Sequence, residues 1–400
     1  MTDLLWPGDH RAGLIFSDAA YLAAMLRVEN AWLGVLVESG LAPVSARADL
    51  TAVVSTADVE AVAVAAEATG NPVPGLLDLL RERTGGDPAR WLHRGLTSQD
   101  VVDTALMLCL RDALDRVRNE LSAQVRTLAA LAQTYRDSPM LARTLTQPAL
   151  PTTVGMKFAN WLTGLLDGAD CVAALPQLSV QAGGAAGTMA AATELAGSPT
   201  DATSLSGRLA AALDLADSPP WHTTRSVITR AGDALVTCCD AWSHIANDVA
   251  ASSRTEIGEL AEGRGGGSST MPHKNNPVLA LLIRRTGVVA PSLAAGLHAA
   301  SAASVDERSD GGWHAEWAGL RTLSRYAVAA AAQTTELLAG LVVDTDRAAA
   351  NLAAAGDLLG EQRAMTELTG HAARGDYTGA TSPLIDAVLQ RANHHLMEAT

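Results

Sequence analysis

Residues 264–277 read RGGGSSTMPHKNNP, and these residue types suit proton chemistry on an anionic substrate. Glycines let successive backbone N–H groups converge, and such a cradle stabilises an oxyanion. A serine held there, Ser268, can have its alkoxide stabilised, with Lys274 supplying positive charge beside it. That combination favours a serine acting as a proton-abstracting base. A slack linker is the plainer alternative, but this stretch runs straight into Met-Pro-His-Lys and joins two long apolar segments. A phosphate-binding P-loop is excluded, since no GxxxxGK[ST] is present and no strand precedes the glycines. A serine hydrolase needs a histidine base with a carboxylate, often around GxSxG between strand and helix, and neither context occurs. His273, so close in the same loop, does not make a triad.

Two other polar clusters interrupt the apolar sequence. In HRGLTSQDVVDT (93–104), Thr97 or Ser98 can cap a helix, and the same free N–H groups and hydroxyls form an anion site with His93 just upstream. In ARTLTQPALPTT (142–153), Arg143, Thr144 and Gln147 offer donors suited to a carboxylate, while Pro148 and Pro151 stiffen the connection. Taken by itself, that stretch also reads as a polar turn between helices. Metal chemistry has little support: His314 and Glu316 do not form HExxH, and His394-His395 sit near the C-terminus. The four cysteines (Cys109, Cys171, Cys238, Cys239) show no CxxC and no disulfide framework. GGAAGT (183–188) resembles half a dinucleotide fingerprint but lacks the flanking strands. No metal and no cofactor are expected.

These clusters need long elements to carry them. The 400 residues are 48% apolar but only 4% aromatic, an alanine-rich composition that favours closely packed helices. From Ser98 some 40 residues run without Gly or Pro, which predicts a rod on the order of 60 Å. Further helical stretches are expected at 17–39, 56–69, from Pro151 to about 175, 224–262, 277–304, 313–341 and 383–396, with no convincing period-two strands. The expected fold is all-α: a long central helical bundle (93–341) flanked by two smaller helical regions (1–92 and 342–400). A net charge of −14 argues against nucleic-acid or membrane-surface partners. The N-terminus lacks a signal-peptide pattern, and the apolar stretch 278–300 contains Arg284 and Arg285. A cytoplasmic protein is the expectation.

With all three clusters in view, the chain resembles the fumarase/aspartase superfamily, whose signature loop GSSxMPxKxNP appears as GSSTMPHKNNP at 267–277. HRGLTSQDVVDTAL, RTLTQPALPTTVGMK, LSVQAGGAAGT, PWHTTR and DERSDGGWHAEW are most similar to its 3-carboxy-cis,cis-muconate cycloisomerase branch, over roughly residues 5–345. The resemblance implies a fumarase/aspartase-like bundle assembled as a homotetramer, with each active site built from three clusters on three subunits. It implies addition to, or elimination across, a bond next to a carboxylate, through an aci-carboxylate intermediate. Ser268 matches the catalytic serine, and Lys274 and Asn276 the carboxylate-binding pair. Thr97, Ser98, Arg143, Thr144 and Gln147 match substrate contacts, His93 a site histidine of the adenylosuccinate-lyase side, and Arg308 an arginine of the same neighbourhood. Leu145 stands where many lyases of the superfamily have the histidine of R-T-H, a histidine that the cycloisomerase branch also lacks. Asn275 replaces a commonly basic residue, and the end of the chain, 346–400, is short. The expected reaction is cycloisomerisation of 3-carboxy-cis,cis-muconate to its lactone. The alternatives are β-elimination from a substituted succinate, such as an adenylosuccinate-like or nitrosuccinate-like substrate, releasing fumarate in secondary metabolism, and an inactive structural or binding homologue. The substrate would be a small di- or tricarboxylate.

Overall fold

The computed structural model describes residues 3–267, 270–271 and 274–398. Helix α1 (Asp18–Glu38) opens on Ser17, whose Oγ accepts the Ala20 N–H at 3.1 Å, and the chain leaves it through left-handed Gly40. Helix α2 (Val59–Thr69) stops on left-handed Gly70, and α3 (Val73–Thr84) and α4 (Gly86–Trp91) follow. The predicted rod is α5 (Ser98–Thr134), 37 residues and about 55 Å long at ~1.5 Å per residue. Asp100 fixes its first turn by accepting the Thr97 N–H at 2.9 Å.

Beyond α5 the all-helical expectation needs a local amendment. Strands β1 (Pro139–Thr144) and β2 (Gln147–Thr153) form an antiparallel hairpin where the sequence reads equally as a turn. Pro148 and Pro151 deny that segment a helix, and its threonines tolerate extended backbone. Leu145 and Thr146 make the two-residue tip, both with positive φ (50° and 71°), as the tightest hairpins require.

Helices α6 (Val154–Ala173), α7 (Ala190–Ala196), α8 (Pro199–Leu213) and α9 (Ser226–Ser252) come next. Helix α9 ends ten residues before the sequence suggests, because the chain turns at left-handed Gly258 into β3 (Leu260–Glu262). Two-residue strands β4 (Gly266–Gly267) and β5 (Asn275–Asn276) pair with each other ahead of α10 (Val278–Ala302) and α11 (Gly311–Ala339). Strand β6 (Leu341–Val343) pairs back on β3, and α12 (Thr345–Ala354), α13 (Gly360–Thr369) and α14 (Thr381–Glu398) close the chain.

Helices α5, α6, α9, α10 and α11 pack side by side into one bundle. Small residues set its spacing. A Cβ on Gly168 of α6 would lie 3.2 Å from the Cys238 sulfur of α9, and one on Gly232 of α9 only 2.9 Å from Leu297 of α10. Two of the fully buried tryptophans have their polar atoms satisfied: Trp242 Nε1 donates to Gln124 and Trp161 Nε1 to Asp248, both at 2.8 Å. Among the described residues two helices, α1 and α10, have the length and apolar content of a bilayer span. Helix α1 is mostly buried within the chain. Helix α10 carries Arg284 and Arg285 and packs one side on α9 and α11, leaving Leu281 and Val288 exposed on the other.

Candidate active site

The first cluster sits where α5 begins. Four residues within its first two turns are polar yet fully buried: Gln99, Asp100, Asp103 and Thr104. They stay buried because distant segments satisfy them. Asp100 accepts the Gly183 and Gly184 N–H groups and the His222 Nε2 position, each at 2.9 Å. Asp103 accepts two bonds from Arg225 (2.7 and 3.0 Å) and one from Trp313 Nε1 (2.9 Å). Arg225 also grips Glu316 at 2.5 and 3.1 Å. Burial opposes the Arg225 charge, but Asp103 and Glu316 outweigh it and hold the guanidinium above its ordinary range. Glu316, in turn, is raised by its own burial against the pull of Arg225. Arg308 bonds Thr97 Oγ1 and reaches Gln99 Oε1 at 3.4 Å, so it lies over the helix start as an exposed cation.

His93 precedes that helix start with a φ of 64°, a left-handed conformation that costs a non-glycine residue about 1–3 kcal/mol. Its Nδ1 lies 2.6 Å from Oε1 of the fully buried Glu29 on α1. One turn further along α1, Trp32 Nε1 donates to the Arg94 carbonyl at 2.7 Å. His93, Thr97, Ser98 and Arg308 therefore gather at one place within a single chain.

The second cluster is the hairpin, five residues past the far end of α5. Arg143 forms a two-pronged pair with Glu259 at 2.7 and 2.8 Å, and Glu259 is completely buried. Asn351 Nδ2 donates to the same carboxylate at 2.8 Å. Arg143 thus ties the hairpin to the chain entering β3 and to α12, whereas Thr144 and Gln147 stand exposed beside the tip. Leu145 at the tip is 96% exposed.

The third cluster is the signature loop. Gly266 pairs with Asn276 and Gly267 with Asn275, which draws its two ends together. Gly265 to Gly267 adopt no left-handed φ; instead, a Cβ on Gly265 would overlap the Asn275 amide and one on Gly266 the Val278 side chain. Their use here is close approach of backbone. Buried Glu262 accepts the Leu279 and Ala280 N–H groups at 3.2 and 2.6 Å, anchoring the loop's exit to α10. Its burial raises its pKa, against the lowering pull of those N–H groups. Lys274 is exposed, and Asn276 partly so. Ser268, the expected base, lies outside the described residues, as do Ser269, Pro272 and His273.

The length of α5 separates the first cluster from the hairpin by about 55 Å, so one chain does not bring all the expected site residues together. Sequence reasoning missed the buried frame under the first cluster: Asp100, Asp103, His222, Arg225 and Glu316. Its one legible signal was polarity at helix-interior spacing (99, 100, 103, 104), where a solvated face is the commoner explanation. Gly183 and Gly184, discounted as a nucleotide fingerprint, turn out to be donors to that frame. Among the described residues no group of three or more His, Cys, Asp or Glu is placed to hold a metal ion.

Comparison with known proteins agrees with this architecture. Residues 17–290 match a protein family described as lyase. The chain is 43% identical over 369 residues to nitrosuccinate lyase of Streptomyces davaonensis, covering 88% of this chain and 77% of that protein. It is 36% identical over 387 residues to 3-carboxy-cis,cis-muconate cycloisomerase of Bradyrhizobium diazoefficiens, covering 94% and 79%. The crystal structure of the 3-carboxy-cis,cis-muconate lactonizing enzyme from Pseudomonas putida superposes with a TM-score of 0.84 at 29% identity, covering 96% of this chain and 97% of that one.

Proposed function

Since the chain belongs to the fumarase/aspartase superfamily of lyases, we propose that it eliminates a small anion from a substituted succinate of the nitrosuccinate type and releases fumarate. The observation that carries this reading is the 43% identity to nitrosuccinate lyase across 88% of the chain, against 36% to the cycloisomerase. Leu145 is compatible with it: a weakly basic leaving group such as nitrite departs without an acid beside it. Ser268, as an oxyanion, takes the proton from the carbon next to a carboxylate. The electron pair passes into that carboxylate as an aci-acid, and on its return the bond to the leaving group breaks, the pair departing with the anion. Lys274 and Asn276 hold the carboxylate, and His93, Thr97, Ser98 and Arg308 meet the rest of the substrate. Thr144 and Gln147 approach from the hairpin tip, with Arg143 setting its position or adding a further donor. Concentrated positive charge around such an intermediate supplies several kcal/mol.

The sites assemble between copies. Clusters about 55 Å apart on one chain can meet only if other chains lie alongside. The apolar outer face of α10, with Leu281 and Val288 exposed, supplies a surface for that assembly. The proposed unit is a cytoplasmic homotetramer requiring no metal or cofactor.

Cycloisomerisation of 3-carboxy-cis,cis-muconate is the second reading, favoured by the TM-score of 0.84 to the Pseudomonas putida enzyme. There the substrate's own carboxylate adds to the double bond and Ser268 manages the proton. Incubation with nitrosuccinate and with the muconate separates the two. Fumarate appearing from the succinate supports elimination; loss of diene absorbance without fumarate formation supports the second reading, and neither change refutes both. Ser268→Ala should abolish turnover while light scattering shows an unchanged assembly.

A further inference from the structure

We infer that Glu29 is a positioning residue that fixes His93 in one tautomer and one orientation, leaving Nε2 as the only ring atom able to meet the substrate. The inference rests on the lyase reading above for the identity of that substrate, but its geometry stands apart from it. A carboxylate accepts but does not donate, so Glu29 at 2.6 Å requires the hydrogen on Nδ1. The neutral ring then carries its lone pair on Nε2, and the protonated ring carries an Nε2–H. Any hydrogen bond His93 makes to a bound carboxylate or leaving group therefore passes through Nε2.

Three features set this pair apart from an ordinary core contact. His93 is held in left-handed backbone, a conformation that persists only where its surroundings over-determine it. The determination is double: Glu29 and Trp32, three residues apart on one face of α1, grip the adjacent residues His93 and Arg94. Finally, Oε2 of Glu29 is buried with no hydrogen-bond partner. A buried carboxyl with half its acceptors unmatched is a poor stabilising device, and an apolar side chain would fill the space better. Its presence is explained by what it does to the imidazole, four residues ahead of the Thr97 cap that Arg308 bonds.

Three variants test the inference: Glu29→Gln, Glu29→Asp and Glu29→Met. Glu29→Gln, whose amide can donate or accept, should lower kcat/KM for nitrosuccinate ten- to hundred-fold, and Glu29→Asp should recover part of the loss. Glu29→Met, similar in size and apolar, should lose activity comparably while its melting temperature holds or rises; a merely structural glutamate would show the opposite. In parallel, diethyl pyrocarbonate modification of His93, read by peptide mass spectrometry, reports on Nε2 without turnover. Modification in the parent protein should be slowed by fumarate, and its rate should change in Glu29→Gln. Parent-level kcat/KM in Glu29→Gln, or a melting temperature that falls with unchanged activity in Glu29→Met, overturns the inference. If the parent protein releases no fumarate yet the modification pattern is as expected, the lyase reading fails and the Glu29–His93 assignment survives.

Discussion

Arg143 and Glu259 should respond unequally to truncation, and the inequality follows from their burial. The Arg143 side chain is 25% exposed, whereas that of Glu259 is 0% exposed. Arg143→Ala strands a buried carboxylate with Asn351 Nδ2 as its one remaining side-chain donor, and an uncompensated buried charge costs about 3–5 kcal/mol. Glu259→Ala instead frees a guanidinium that can swing into water, so the loss should be nearer about 1–2 kcal/mol. At ~2.1 cal/mol/K per residue, 400 residues give an unfolding entropy of about 0.84 kcal/mol/K. The melting temperature should then fall by roughly 4–6 °C for Arg143→Ala and about 1–2 °C for Glu259→Ala. The double variant should lose less than the sum, because removing Arg143 matters little once the buried carboxylate is gone. Differential scanning calorimetry at one fixed protein concentration reads all three, since subunit association makes melting depend on concentration. Equal losses for the two single variants, or strict additivity in the double, would refute the argument that Glu259 is the costly partner.

Two further outcomes follow from the geometry. Burial pushes the thiols of Cys109 and Cys238 up to about 12 from an ordinary 9.0. Because the folded value is raised, the associated stability is complete below pH 9 and drains away as pH climbs toward 12, by about 4 kcal/mol per thiol. Denaturation midpoints measured from pH 8 to 11 should therefore fall, and a thiol reagent at pH 8 should modify exposed Cys171 well before the three buried cysteines. Leu145→Gly should relieve left-handed backbone at an exposed tip and raise stability by about 1 kcal/mol, while lowering kcat/KM if the leucine meets substrate. A variant that is both less stable and fully active would contradict both halves of that expectation.

Much of this protein was legible in one dimension. The rod at α5, its Thr97 start, the Ser17 and Gly40 ends of α1 and the final helix follow from local physics: caps, glycine stops and an apolar period act within a few residues. The hairpin at 139–153 was only half legible, since prolines forbid a helix without specifying what replaces it, and the pairing partner is chosen in space. The identity of the loop at 264–277 was written in its residue types, but the use of Gly265 and Gly266 was not. They make room for Asn275 and Val278, a fact of contact that no spacing reveals.

The candidate site divides in the same way. Sequence alone nominated His93, Thr97, Arg143 and Lys274, because donors near a helix start or a glycine loop advertise anion chemistry wherever they occur. It could not foresee that Arg143 would be engaged by Glu259, 116 positions away. Nor could it foresee that His93 would be pinned by Glu29, or that Asp100 and Asp103 would be partnered by His222 and Arg225. Buried charges are tolerable only with partners, and those partners come from whichever segments the tertiary packing brings alongside. Residue type determined what chemistry was available; only the packing of distant segments decided which of those groups were spent on holding the fold and which were left to meet a substrate.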